Sequence, residues 1–146
     1  MDGVSGGSIQ IVGIEGVGGA GMSAGGSLNL TGIAASTMNI FGALSATTIG
    51  LTADAIEIAS DVTANTLNLT STGSSGLGIN QTGGTISVGG TTTVNAGGGA
   101  QDVNLASNYN QFNTVAITAG NASIANSGPL VLGNINTAFD FNVTTA

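Results

Sequence analysis

One short pattern recurs along this chain: a hydroxyl or small residue, an aliphatic, a polar residue and an aliphatic. It reads Ser8-Ile9-Gln10-Ile11, Ser27-Leu28-Asn29-Leu30, Thr48-Ile49-Gly50-Leu51, Thr66-Leu67-Asn68-Leu69 and Thr85-Ile86-Ser87-Val88. Looser copies follow at Asp102-Val103-Asn104-Leu105, Asn121-Ala122-Ser123-Ile124 and Ala138-Phe139-Asp140-Phe141, and successive copies stand 17 to 21 residues apart. A second series lies between them: Thr37-Met38-Asn39-Ile40, Ala55-Ile56-Glu57-Ile58, Gly76-Leu77-Gly78-Ile79, Thr93-Val94-Asn95-Ala96, Thr114-Val115-Ala116-Ile117 and Pro129-Leu130-Val131-Leu132.

Alternation at period two is strand grammar, and the Gly, Ser and Asn runs between units are strand breakers. Hairpins would leave an open meander. A repeat of near-constant length instead makes each unit pair one coil of a stack. The expected fold is all-β: a right-handed parallel β-helix of about eight coils of ~19 residues, handed by the usual crossover bias. Leu28, Ile49, Leu67, Ile86, Val103, Ala122 and Phe139 would continue one inward column from Ile9. Leu30, Leu51, Leu69, Val88, Leu105, Ile124 and Phe141 would continue a second from Ile11. At ~4.8 Å per coil the rod would be on the order of 38 Å long. Residues 1–146 read as a single solenoid segment, with a Gly-rich first coil over 1–26 and regular coils over 27–146.

The composition fits a narrow coil. There are 26 Gly, 19 Thr and 15 Asn, and five aromatic residues in 146 positions. Hydrophobic residues make up 41% and charged residues 5%, the reverse of a disordered chain. Charge is scarce because stacking would set like charges about 4.8 Å apart in a column. Lys, Arg, His and Cys are absent, and seven carboxylates give a net charge of −7. Nucleic-acid binding, which needs cations to displace counterions, is not expected. Nor is a phosphate-binding lysine, a Ser–His dyad or a Cys/His zinc site. No stretch approaches the ~20 apolar residues of a membrane span, and MDGVSGGSIQ lacks the basic and apolar regions of a signal peptide.

Asp54, Glu57 and Asp61 form the one local acidic cluster. Paired carboxylates can act as general acid and base, but polysaccharide cleavage also calls for cations or aromatic platforms, which this stretch lacks. Hard oxygen ligands make calcium the weak metal candidate. A solvated outer face is the simpler reading, so no catalytic residue and no cofactor is expected. Gly16-Val17-Gly18-Gly19-Ala20-Gly21 satisfies GxGxxG without its strand-helix context and reads as a corner. The sequons at Asn29, Asn68, Asn80, Asn121 and Asn142 are what an Asn- and Thr-rich chain produces by chance. Tyr109 and Phe112, in NYNQFN, read as a loop leaving the coil between Leu105 and Val115.

A flat outward Thr/Asn face gives an alternative, an ice-binding solenoid using Thr31, Thr52 and Thr70. In the expected register the array decays, because the next coil would present Thr85, Ser87 and Gly89 and a later one Asp102, Asn104 and Ala106. Thermal hysteresis is therefore not expected. Ladder bonding and β-propensity account for the threonines without a ligand.

The run INQTGGTISVGGTTTVNAGGGAQDVNLASNYNQFNTVAITAGNASIANSGPLVLGNI, residues 79–135, resembles the repeat regions of filamentous haemagglutinin-like exoproteins and autotransported bacterial adhesins. The resemblance implies a right-handed parallel β-helix, export to the cell surface or beyond, and a stalk or adhesin without catalytic residues. Its partners would be a host-cell or matrix surface, or neighbouring repeats of the same protein, with neither nucleic acid nor membrane insertion. AFDFNV at 138–143 would leave apolar positions uncovered, so the chain is expected to be part of a longer protein and to associate end to end.

Overall fold

The computed structural model describes residues 9–14 and 16–146, with side chains described from Gly16 onward. The inward placement expected for the Ile9 and Ile11 side chains, and the features of residues 1–8, lie outside the described residues. Two ladders of strands run the length of the molecule. The first contains β1 (Ile9–Ile14), β4 (Ser27–Gly32), β6 (Leu44–Ala53), β8 (Val62–Ser71), β10 (Ile86–Ala96), β12 (Gln111–Ala119) and β14 (Val131–Thr137), with β3 (Met22–Ser23) attached to β6. The second contains β2 (Gly16–Val17), β5 (Thr37–Ile40), β7 (Ala55–Ile58), β9 (Leu77–Gln81), β11 (Asp102–Leu105), β13 (Ala122–Asn126) and β15 (Phe141–Thr145).

Every rung is parallel to its neighbour, as in β4 with β6 and β7 with β9, and the chain alternates between ladders. That is a β-solenoid of about six turns. Side chains from both ladders meet in one core. Leu28, Ile49 and Leu67 stack from one side and Met38, Ile56 and Ile79 from the other, all fully buried. Burying each such side chain is worth about 1.5–3 kcal/mol.

The long strands of the first ladder turn a corner within themselves. In β8 the buried positions are Val62 and Ala64, then Leu67, Leu69 and Ser71, so the alternation slips by one at Asn65–Thr66. In β6 the same slip falls at Thr47–Thr48. The first ladder therefore wraps two sides of the coil and the second ladder closes the third.

The register departs from expectation after Leu69. Val62 pairs with Ile86, but Leu67 pairs with Thr92 and Leu69 with Val94. The chain between β8 and β10 is longer than in the preceding coil, so Val62 and Ile86 already stand 24 residues apart where Leu44 and Val62 stand 18. At Gly89–Gly90 β10 adds one further residue as a bulge at its corner. The coil step rises from 18 residues between Ile49 and Leu67 to 25 between Leu67 and Thr92. Ile86 is thus not the neighbour of Leu67. Val103 and Ala122 belong to the second ladder, stacked on Ile79. Units assigned to successive coils are in several cases opposite sides of one coil. Hence the coils number about six rather than eight, and the rod measures roughly 29 Å at ~4.8 Å per turn.

One inward assignment fails locally, and two aliphatic positions of the second series turn outward. Phe139 is 75% exposed in the turn before β15, and Leu77 and Leu132 lie outside the core. Phe112, expected in a loop, is buried on β12 opposite Val88, while its neighbour Tyr109 is exposed.

Candidate functional site

The outer surface of the first ladder, along β4 and the second halves of β6, β8, β10 and β12, carries three columns of small polar residues. Thr31, Thr52 and Thr70 stack directly, as expected, and the column continues through Asn95 and Thr118 to Asn136. A second column runs Ser27, Thr48, Thr66; Thr91 stands on the next rung, one residue before the partner of Leu67, and pairs onward with Thr114. The middle column is Asn29, Gly50, Asn68, Thr93 and Ala116. The array does not decay after Thr70. Thr85, Ser87 and Gly89 lie before the β10 corner, and Asp102 and Asn104 are on the second ladder.

The acidic cluster is spread over turns and rungs. Glu57, between Asn39 and Asn80 on its ladder, accepts a hydrogen bond from Thr82 Oγ1 at 3.1 Å. Asp61 Oδ1 accepts from the backbone N–H of Thr85 at 2.8 Å. Asp54 sits between β6 and β7, where its carbonyl accepts from Gly73 N–H at 3.1 Å and from Gln101 Nε2 at 3.3 Å. Among the described residues no group of three acidic side chains converges as a metal would require. Asp102 does the same work as Asp61 further along: its Oδ1 accepts from the backbone N–H and the Nδ2 of Asn121, at 2.8 and 2.9 Å. The bonds of Glu57, Asp61 and Asp102 each link one coil to the next, and that from Gln101 Nε2 to Asp54 O spans two.

Two buried polar corners escaped the sequence reading. At the turn leading from the second ladder into the first, Asn110 is fully buried. Its Oδ1 accepts from Gln81 Nε2 at 2.8 Å and from the backbone N–H of Ile86 at 2.9 Å. Its Nδ2 donates to Gln81 Oε1 at 2.7 Å and Leu105 O at 3.1 Å. One coil later Asn126 repeats the device, with Oδ1 accepting from Phe112 N–H at 2.7 Å and Nδ2 donating to the carbonyls of Phe112, Gly128 and Pro129. At the opposite turn Gln101, 3% exposed, donates to Asp54 O and Ser75 O, yet its Oε1 and the nearby Ser71 Oγ have no partner. Gly73 and Gly78 leave room for it: a Cβ at Gly73 would fall 2.5 Å from Gln101 Nε2, and one at Gly78 would fall 2.8 Å from its Cδ.

The remaining motifs have plain structural placements. Gly16–Val17 is β2 and Gly19 and Gly21 take positive φ in the turn after it, a corner as expected. The sequon residues Asn29, Asn68 and Asn142 are exposed, whereas Asn80 and Asn121 accept hydrogen bonds from Asn104 and Asp140 N–H.

Parallel coils and rung-linking side chains of this kind define a repeat β-solenoid. Residues 4–119 match the family described as repeats of unknown function (DUF5649), and the chain belongs to that family. No curated protein and no solved structure matches it.

Proposed function

We propose that this chain is a non-catalytic structural and adhesive stretch of a large exported bacterial surface protein, related in style to the filamentous haemagglutinin-like exoproteins. The observation that carries the reading is the placement of its polar side chains. Glu57, Asp61, Asp102, Asn104, Asn110 and Asn126 join successive turns or close their corners, rather than converging on a shared point. Chemistry used in this way makes a stiff spacer. Val131 and Leu132, exposed on β14 at the sheet edge, add an apolar surface suited to neighbouring repeats. A host-cell or matrix surface is the external partner. Beads coated with the folded protein should adhere to cultured cells or immobilised matrix more than beads carrying a non-solenoid protein of similar charge. Equal retention of the two would overturn the adhesive role. Ice binding, the alternative, concerns one face of the rod and does not compete with a spacer role.

A further inference from the structure

We propose that the outward face of the first ladder is an ice-binding surface extending over five coils, from Ser27 to Thr118, rather than the three-residue array centred on Thr52. Four observations combine. First, the hydroxyl columns survive the β10 bulge. The extra residue at Gly89–Gly90 is what returns Thr91, Thr93 and Asn95 to the outside, in line with Thr66, Asn68 and Thr70. Second, the hydroxyls are free. Thr47, Thr72 and Thr82, which sit at corners, donate to Gly25 O, Ala53 O and Glu57. Among the described residues the hydroxyls of Thr48, Thr52, Thr66, Thr70, Thr93 and Thr118 make no such bond within the protein.

Third, the apparent gap at Gly50 is covered. A Cβ there would lie 2.5 Å from Asn29 Oδ1, so the Asn29 carboxamide reaches over the glycine of the next rung. The middle column is thereby kept low and polar. Fourth, among the described residues no carboxylate and no aromatic ring stands in the three columns. A charge would impose its own hydration shell on neighbouring water, and rings would mark a surface for stacking sugars.

The spacing suits ordered water. Rungs repeat at ~4.8 Å along the rod, and alternate residues at roughly 6.7 Å across it. In tetrahedrally bonded water with O–H···O of about 2.75 Å, two oxygens sharing a third lie about 4.5 Å apart. Hydroxyls stacked rung on rung therefore come close to the natural repeat of ordered water. The β-branched threonine side chain has few rotamers, so the array is ordered before the ligand arrives.

The test is partition of the whole folded chain into a slowly growing ice hemisphere, together with thermal hysteresis and crystal shaping. The parent should enter the ice and shape it. Thr52→Tyr and Thr93→Tyr should abolish both effects while β-type circular dichroism is retained. Ser123→Tyr, on the outer side of the second ladder, should leave them intact. If a tyrosine variant misfolds, Thr52→Val retains shape without the hydroxyl and should reduce entry. Exclusion of the parent from ice would overturn the proposal. So would unchanged entry by folded Thr52→Tyr, or retention on crystalline cellulose or chitin with none in ice.

Discussion

Two corners of the same coil solve one problem differently. Where the second ladder hands the chain to the first, Gln81, Asn110 and Asn126 fold inward and every donor and acceptor of Asn110 is matched by another side chain or by backbone. Where the first ladder hands it back, Gln101 also folds inward but leaves its carbonyl oxygen unmatched, with Ser71 Oγ beside it. Both corners bury an amide. Only the first builds a closed network. A buried polar network stabilises when complete and is costly when partial, so the two amides should contribute very differently to stability.

Asn110→Leu provides the sharpest test and the largest effect. The substitution strands the Ile86 N–H and Gln81 Oε1 and removes the bond to the Leu105 carbonyl, while Gln81 Nε2 keeps its bond to Gly84 O. A buried group without a partner costs about 1–3 kcal/mol. A loss of at least about 3 kcal/mol is expected in urea unfolding, with the thermal midpoint falling ~2–4 °C per kcal/mol for a chain of this size. Indifference to this change would mean that water replaces the ladder and that the corner is open.

Gln101→Met should do much less. It removes two long hydrogen bonds, 3.3 Å to Asp54 O and 3.4 Å to Ser75 O, and with them the orphaned oxygen. Asp54 O keeps its bond from Gly73 N–H. Losing weak bonds and relieving an unmatched acceptor nearly cancel, so the change should stay within about 1 kcal/mol by the same unfolding assay. A loss as large as that of Asn110→Leu would erase the difference between the corners.

The sequence announced the period-two units, the parallel stack and the first coils down to their neighbours, because Leu28, Ile49 and Leu67 repeat with almost constant spacing. It misled from Thr85 onward. One four-residue unit serves every side of the coil, so nothing local tells Ile86, which stacks on Val62 before the β10 corner, from Val94, which stacks on Leu69 after it. A signal was available: Thr91, Thr93 and Asn95 repeat the outward spacing of Thr66, Asn68 and Thr70, and Gly89–Gly90 supplies a place for the extra residue. The buried amides had none. Gln81, Gln101, Asn110 and Asn126 look like surface residues, and their burial follows from where the coil turns, which is a property of the whole turn rather than of the adjacent residues.

Thr92 takes the comparison away from the corners altogether. It lies in the straight part of β10, between Leu67 and Val115, fully buried, and its Oγ1 has no partner. Neither a network nor a glycine pocket explains it. Val has the same branched shape, so Thr92→Val keeps the packing of the column and removes only an unmatched hydroxyl, whose burial costs about 1–3 kcal/mol. The variant should therefore be more stable by about 1 kcal/mol, with a thermal midpoint ~2–4 °C higher. The gain would place the penalty in the hydroxyl itself, as at Ser71 and Gln101, rather than in strain at a turn. A loss would show that Thr92 Oγ1 has found a donor or acceptor in solution, and that the column between Leu67 and Val115 holds water where the packing implies none.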